Sequence, residues 1–215
     1  MTHKILSQGV LDGTCLIYSI MNAYKTLICP DISAIQFMIS EPKDKSGRSK
    51  WEYIIRTCPQ AIDMLVGKGF TEYITGIPTN YIEKIIDNQY KNTLITAFDI
   101  LSGTESEFSV DRISIEEINK FNFEKSVIIL PIVKKIKTIR GNDISNHFIC
   151  INGRNGNEFN IMCSYSIHKL ESEKYIESFD DKYSRYYNNK IDIKYVNSEV
   201  IGKGINSIFK ISNSR

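Results

Sequence analysis

From residue 15 the apolar positions fall at Leu16, Ile17, Ile20, Met21, Tyr24, Leu27 and Ile28, the i, i+3, i+4 spacing of one helical face. "CPD" at 29–31 ends that helix, and Asp31 can cap a short second one over "ISAIQFMIS". Residues 41–50, "EPKDKSGRSK", are polar and turn-rich and read as an exposed loop. "PQAIDMLVGKG" fits a helix with Pro59 in its first turn and a glycine stop, and "PTNYIEKIIDNQY" fits another beginning at Pro78 or Thr79. "TLITAFDI" at 93–100 reads as a strand, and "SIEEINKF" as a short helix. "SVIILPIVKK" at 126–135 is a continuous run rich in β-branched residues, the signature of a central strand. "HFICINGRNGNEFNIMCSYS" places two strand-like runs around Asn155-Gly156, a strong hairpin signal. A Tyr-rich helix over "ESEKYIESFDDKYSRYY" follows, then strand-like pieces in "KIDIKYV" and "SIFKIS". Helices come first and strands mostly later, which predicts an α+β fold rather than a regular βαβ alternation.

The chain has 215 residues, 42% of them hydrophobic, enough for one sizeable core or one core with a small subdomain. No linker divides it, so residues 1–215 read as a single domain, with 170–215 as a candidate C-terminal extension. A charged fraction of 24% and a net charge of +2 exclude a disordered chain and a global nucleic-acid footprint. "MTHKILSQGV" lacks the apolar region of a signal peptide, and no run approaches the roughly 18 apolar residues of a membrane helix. A soluble, cytoplasmic protein without membrane association is expected, with no preference of oligomeric state. The five cysteines are scattered and form no CxxC pair, so neither a zinc site nor a disulfide framework is indicated, and no metal or organic cofactor is implied. Cys29, Cys58 and Cys150 sit among apolar neighbours and read as small buried hydrophobes. Trp51, which with Tyr53 follows the polar loop, reads as a core anchor rather than a substrate platform. The basic run "KKIKTIR" at 134–140 reads as a solvated edge, or as a contact for an acidic substrate, phosphate or nucleic acid.

The helical face leaves "SQGVLDGTC" unexplained. Cys15 falls at the first turn of its helix, where unpaired N–H groups and the helix dipole favour an anion and hence a thiolate. An oxyanion formed by attack on a carbonyl needs donors. The Cys15 N–H is one, and the Gln8 amide is the nearby side-chain candidate. A nucleophilic thiol also needs a base. Of the three histidines, His3 lies near the terminus and His168 in a polar stretch, while His147 opens the strand "HFICI" beside a polar turn.

A Gln, a Gly-Thr-Cys helix start and a His opening a late apolar strand together resemble the papain-like cysteine peptidases, nearest in layout to the bacteriocin-leader-processing branch. The resemblance covers the Gln–Cys segment and the His hairpin. It implies N-terminal helices, with the Cys at the start of the central one, packed on a C-terminal antiparallel sheet carrying the His. It further implies Gln8 in the oxyanion hole, Cys15 as nucleophile and His147 as base, with an Asp or Asn on the next strand orienting the imidazole. The chain departs from the pattern at that third residue. With Asn155-Gly156 as a two-residue turn, His147 stands opposite Ser164, Ile149 opposite Met162 and Ile151 opposite Asn160, and the expected carboxylate or amide is replaced by "IMCSYS". A Cys–His dyad, Ser164, Asn160 or a residue from elsewhere such as Asp143 all remain open.

"DGTCLIYSI" also resembles the ovarian-tumour deubiquitinases, in which Asp12 would help build the oxyanion site, although 68 residues follow His147 here. Both resemblances imply a thiol hydrolase acting on a peptide or isopeptide bond of a protein or peptide substrate. The same site supports deamidation or acyl transfer. The alternative is a non-catalytic papain-like module that binds a partner.

Overall fold

The structure, a computed structural model, describes residues 3–6, 15–39, 46–47, 49–57, 82–103, 107–132, 134–145, 147–164, 177–201 and 208–214. The helix expected over 59–69 lies outside these residues, as does most of the 41–50 loop. Helix α1 (Cys15–Ile28) forms where the periodicity places it, and buries Leu16, Ile17, Ile20 and Met21. Helices α2 (Ala34–Ile39), α3 (Lys50–Thr57) and α4 (Ile82–Ser102) follow. Tyr53 on α3 is half exposed, and the side chain of Trp51, the expected core anchor, lies outside the described residues.

Helix α4 corrects the strand expected at 93–100. Leu94, Ala97, Phe98 and Leu101 are all buried, and their spacing of three and four residues marks one helical face. The β-branched residues that suggested a strand include Ile95, which is exposed. Phe98 packs against Phe108 of strand β1 (Phe108–Arg112), with ring centroids 5.1 Å apart, and Phe108 in turn meets Tyr24 of α1. The short helix α5 (Ile115–Ile118) carries the capping box of Ser114 and Glu117.

The main sheet has six strands, and every neighbouring pair is antiparallel. Its order is β1, β10 (Phe209–Asn213), β2 (Ser126–Ile132), β5 (His147–Asn155), β6 (Glu158–Met162) and β9 (Asn189–Asp192). All seven residues of β2 are buried because both faces of the sheet are covered. Val127 and Ile129 join the core beneath α1, with Phe148 and Cys150 of β5. Ile128, Leu130 and Ile132 join a second core on the other face, with Ile149, Ile151, Ile161, Ile118 and Ile201. Strand β10 lies between β1 and β2, so residues 209–213 are an interior part of the sheet and not an extension of it.

Two short hairpins complete the fold: β3 (Ile136–Lys137) with β4 (Asp143–Ile144), and β7 (Ser178–Asp180) with β8 (Arg185–Tyr187). The second replaces the described part of the expected Tyr-rich helix. Its turn uses Ser184 at φ 52°, and the Asp180 carboxylate accepts the Lys182 N–H at 3.0 Å. Arg185 then enters the interior, where its guanidinium donates to the carbonyls of Ser126, Glu124 and Asn152 at 2.7, 2.9 and 3.2 Å. The basic run at 134–140 is engaged within the chain. Lys134 pairs with Glu199 and Lys135 with Asp143, while Arg140 donates to the Asn188 carbonyl and to Ser178.

The segment that enters α1 is tied to the helix by Asn22, which is 1% exposed. Its Oδ1 accepts the Leu6 N–H at 2.8 Å and its Nδ2 donates to the Leu6 C=O at 3.0 Å. A Leu side chain there offers neither bond, and each orphaned buried group costs about 1–3 kcal/mol. Asn22→Leu is therefore expected to lower stability by roughly 2–4 kcal/mol, read as a lower urea midpoint at unchanged slope.

Candidate active site

Cys15 is the first residue of α1 and is 2% exposed. Gln8, Asp12, Gly13 and Thr14 lie outside the described residues, as do His168 and Cys58. The Cys15 Sγ accepts a hydrogen bond from the Phe148 N–H at 3.5 Å. One turn further on, Ser19 Oγ donates to the Phe148 C=O at 3.1 Å. Residues four apart share a helix face, so α1 holds both polar main-chain groups of Phe148. Opposite Phe148 on β2 stands Pro131, which has no N–H to contribute to the ladder.

His147 precedes Phe148 directly, so the thiol is seated against the main chain at the root of the imidazole. His147 is 5% exposed and pairs with Ile132 at the mouth of β5. Strand alternation assigns it to the face of Ile149 and Ile151, away from α1. As the first residue of β5 it stands at the end of the sheet, where little backbone separates the two faces. Its Nε2 lies 3.5 Å from Ser164 Oγ.

The β5–β6 hairpin differs from the expected register, and the difference decides between Ser164 and Asn160. Asn155 pairs with Glu158, so Gly156 and Asn157 form the turn, and Gly156 takes φ 58°. A bulge between Ile151 and Gly153 then shifts the pairing by one residue, so that Cys150 faces Met162 and Gly153 faces Asn160. The glycine is required, because a Cβ there would lie 2.8 Å from Asp180 Oδ2. Asn160 is therefore about 20 Å along the strand from His147. It shares the α1 face with Met162 and donates to Asp180 Oδ2 at 2.5 Å. Asn160 is not a partner of His147; Ser164 is. Asp143 is held by Lys135 at 2.7 Å.

Ser164 follows the end of β6 and is buried. The residue before it, Cys163, is bracketed by Asn188, whose Oδ1 accepts the Cys163 N–H at 2.9 Å and whose Nδ2 donates to the Cys163 C=O at 2.8 Å. Ser19 was detectable as a polar residue four positions from Cys15 on the buried face. Asn188, in "YYNNK", carries no sequence signal.

Burial governs the electrostatics. It pushes the Cys15 thiol up to about 11; nearby Cys163 adds to the rise, and the N–H groups of Phe148, Leu16 and Cys15 oppose it without prevailing. The helix start therefore does not make Cys15 a thiolate at rest, contrary to the expectation from its position. Burial also lowers His147 to about 4. At neutral pH the site holds a thiol and a neutral imidazole. Cys15, Cys29, Cys150 and Cys163 are free thiols; Cys150 is fully buried and Cys29 only partly. Among the described residues no three His, Cys, Asp or Glu side chains gather as a metal site would need. No described helix is long and apolar enough to cross a membrane.

Because His147 binds a proton less readily when folded, its neutral form contributes stability that is complete above about 6.5 and is lost as pH falls toward about 4. The difference amounts to roughly 3 kcal/mol. His147→Gln is expected to lack this acid-side loss, which urea titrations at neutral pH and near pH 4 will show. Comparison of the chain with protein-family models, with curated proteins and with solved structures gives no match.

Proposed function

We propose that the chain is a papain-like thiol hydrolase that cleaves a peptide or isopeptide bond, with Cys15 as nucleophile and His147 as base. The observation that carries this reading is the 3.5 Å contact between Cys15 Sγ and the Phe148 N–H, which sets a helix-start thiol one residue from a buried imidazole. Ser164 lies at Nε2, which leaves Nδ1, the ring nitrogen nearer the main chain, to serve the thiol. In the proposed reaction Nδ1 takes the thiol proton as sulfur bonds to the substrate carbonyl carbon. The carbonyl oxygen becomes an oxyanion, held by the Cys15 N–H and Gln8. Collapse expels the amine, which leaves with the proton from the imidazolium, and water then releases the acyl group by the reverse sequence. A neutral resting pair makes His147 a general base during attack, rather than one half of a standing ion pair.

A second reading, the non-catalytic papain-like module, is favoured by the burial of both groups and by the elevated thiol. In that case Cys15 and Ser19 serve only to hold the Phe148 peptide.

The pH profile of Cys15 carboxamidomethylation separates the two. Thiol enzyme chemistry gives the wild type a neutral limb that is flat above about pH 4 and absent in His147→Ala, lowering the neutral rate by about a hundredfold. Both proteins then share the rise toward about pH 11. The binding module gives coincident profiles containing only that rise. A ubiquitin-type electrophilic probe distinguishes isopeptide from peptide specificity.

A further inference from the structure

We infer that Asn188 is the positioning residue that makes Ser164 the third member of the site, in place of the carboxylate or amide that the hairpin lacks. This rests on reading Cys15 and His147 as a reacting pair. The β5–β6 ladder ends where Cys150 meets Met162, and His147 lies three residues beyond that last rung on β5. Past the rung no strand among the described residues pairs with Cys163 or Ser164. Asn188 supplies what a strand would. Its carboxamide has the shape and polarity of a peptide group, and it bonds both the N–H and the C=O of Cys163, as a paired strand residue does.

Asn188 is itself fixed. Its N–H donates to the Ile161 C=O at 3.2 Å, its C=O accepts from Arg140 Nη1 at 2.7 Å, and it is 2% exposed. Ser164 continues directly from the bracketed residue, and its Oγ comes to 3.5 Å from Nε2. With Nε2 protonated the imidazole donates to that hydroxyl, and Nδ1 is the nitrogen able to take a proton from the thiol. A hydroxyl can give or take this bond; in the inferred arrangement, held by Asn188, it accepts from Nε2–H, so that the bracket sets the imidazole tautomer. Arg140 of the basic run belongs to the same chain of contacts, one step further out.

The imidazole 15N–1H spectrum of the full chain tests this. The wild type is expected to show the Nε2–H tautomer of His147. Ser164→Ala and Asn188→Ala should each give a mixture of tautomers, and the double variant should look like Ser164→Ala alone, because Asn188 acts through the hydroxyl. Ser164→Thr, which keeps a hydroxyl, should restore the single form. If Asn188→Ala does not fold, Arg140→Gln should shift the tautomer ratio in the same direction. A wild-type spectrum in Asn188→Ala, or in Arg140→Gln where that variant must carry the test, overturns the inference, as does a wild-type spectrum in Ser164→Ala. These signals do not depend on Cys15 reactivity. Tautomer loss together with coincident alkylation profiles for wild type and His147→Ala leaves the positioning role standing and removes the thiol-enzyme reading.

Discussion

The hold of α1 on Phe148 is the contact on which the rest of the site depends. A main-chain N–H and C=O inside a covered sheet must be bonded, and the neighbour facing Phe148 on β2 is a proline. The helix brings Cys15 and Ser19 to these groups. Its rotation is then set by the apolar side chains that enter the core beside them, Leu16, Ile20 and Met21. A thiol is a weak acceptor and a hydroxyl a good donor, so the arrangement is polarised toward the carbonyl end. The placement of the Cys15 sulfur and the integrity of the sheet thus share one contact, and the proposed catalytic role and the structural account of Cys15 begin from the same bond.

Two opposing effects meet at that atom. A helix start stabilises negative charge through its exposed N–H groups, over the length of about one turn. Removal from water destabilises the same charge, and at Cys15 this is the larger effect. The imidazole, as a base, is driven the other way by the same burial. A buried acid and a buried base that are both neutral need no counter-charge, which suits a hydroxyl at Nε2 better than a carboxylate.

What could be read from the sequence was what depends on local pattern. Helix α1, the run of β2, the short helix α5 and the existence of a β5–β6 hairpin all follow from periodicity or turn chemistry within a few residues. The misreadings arose where distant chain decides. Residues 93–100 carry both helical and strand-like spacing, and their burial against β1 selects the helix. The hairpin register turns on a bulge at Gly153, which is beneath Asp180 from a segment almost thirty residues later. The partner of His147 is fixed by a side chain from the far side of the β7–β8 hairpin. The Cys and His could be nominated from sequence because each marks the start of an element, and Ser164 as one candidate opposite the His, but the choice of Ser164 over Asn160 and the Asn188 bracket on Cys163 could not.

The place of β10 has a consequence for how the chain comes to be folded. Strands β1 and β2 do not pair with each other; the seam between them is filled by residues 209–213, which pair with partners as much as a hundred positions earlier. During synthesis from the N-terminus, both strands emerge with an unpaired edge facing the gap, and they wait for the last strand to arrive. Such long-range closure is slow compared with helix formation or the closing of a local hairpin. Until residues 209–213 are available, the sheet beneath α1 cannot be closed, whereas α1 and the β5–β6 hairpin need only local chain. Before that closure the facing edges of β1 and β2 are open to pairing with the wrong strand.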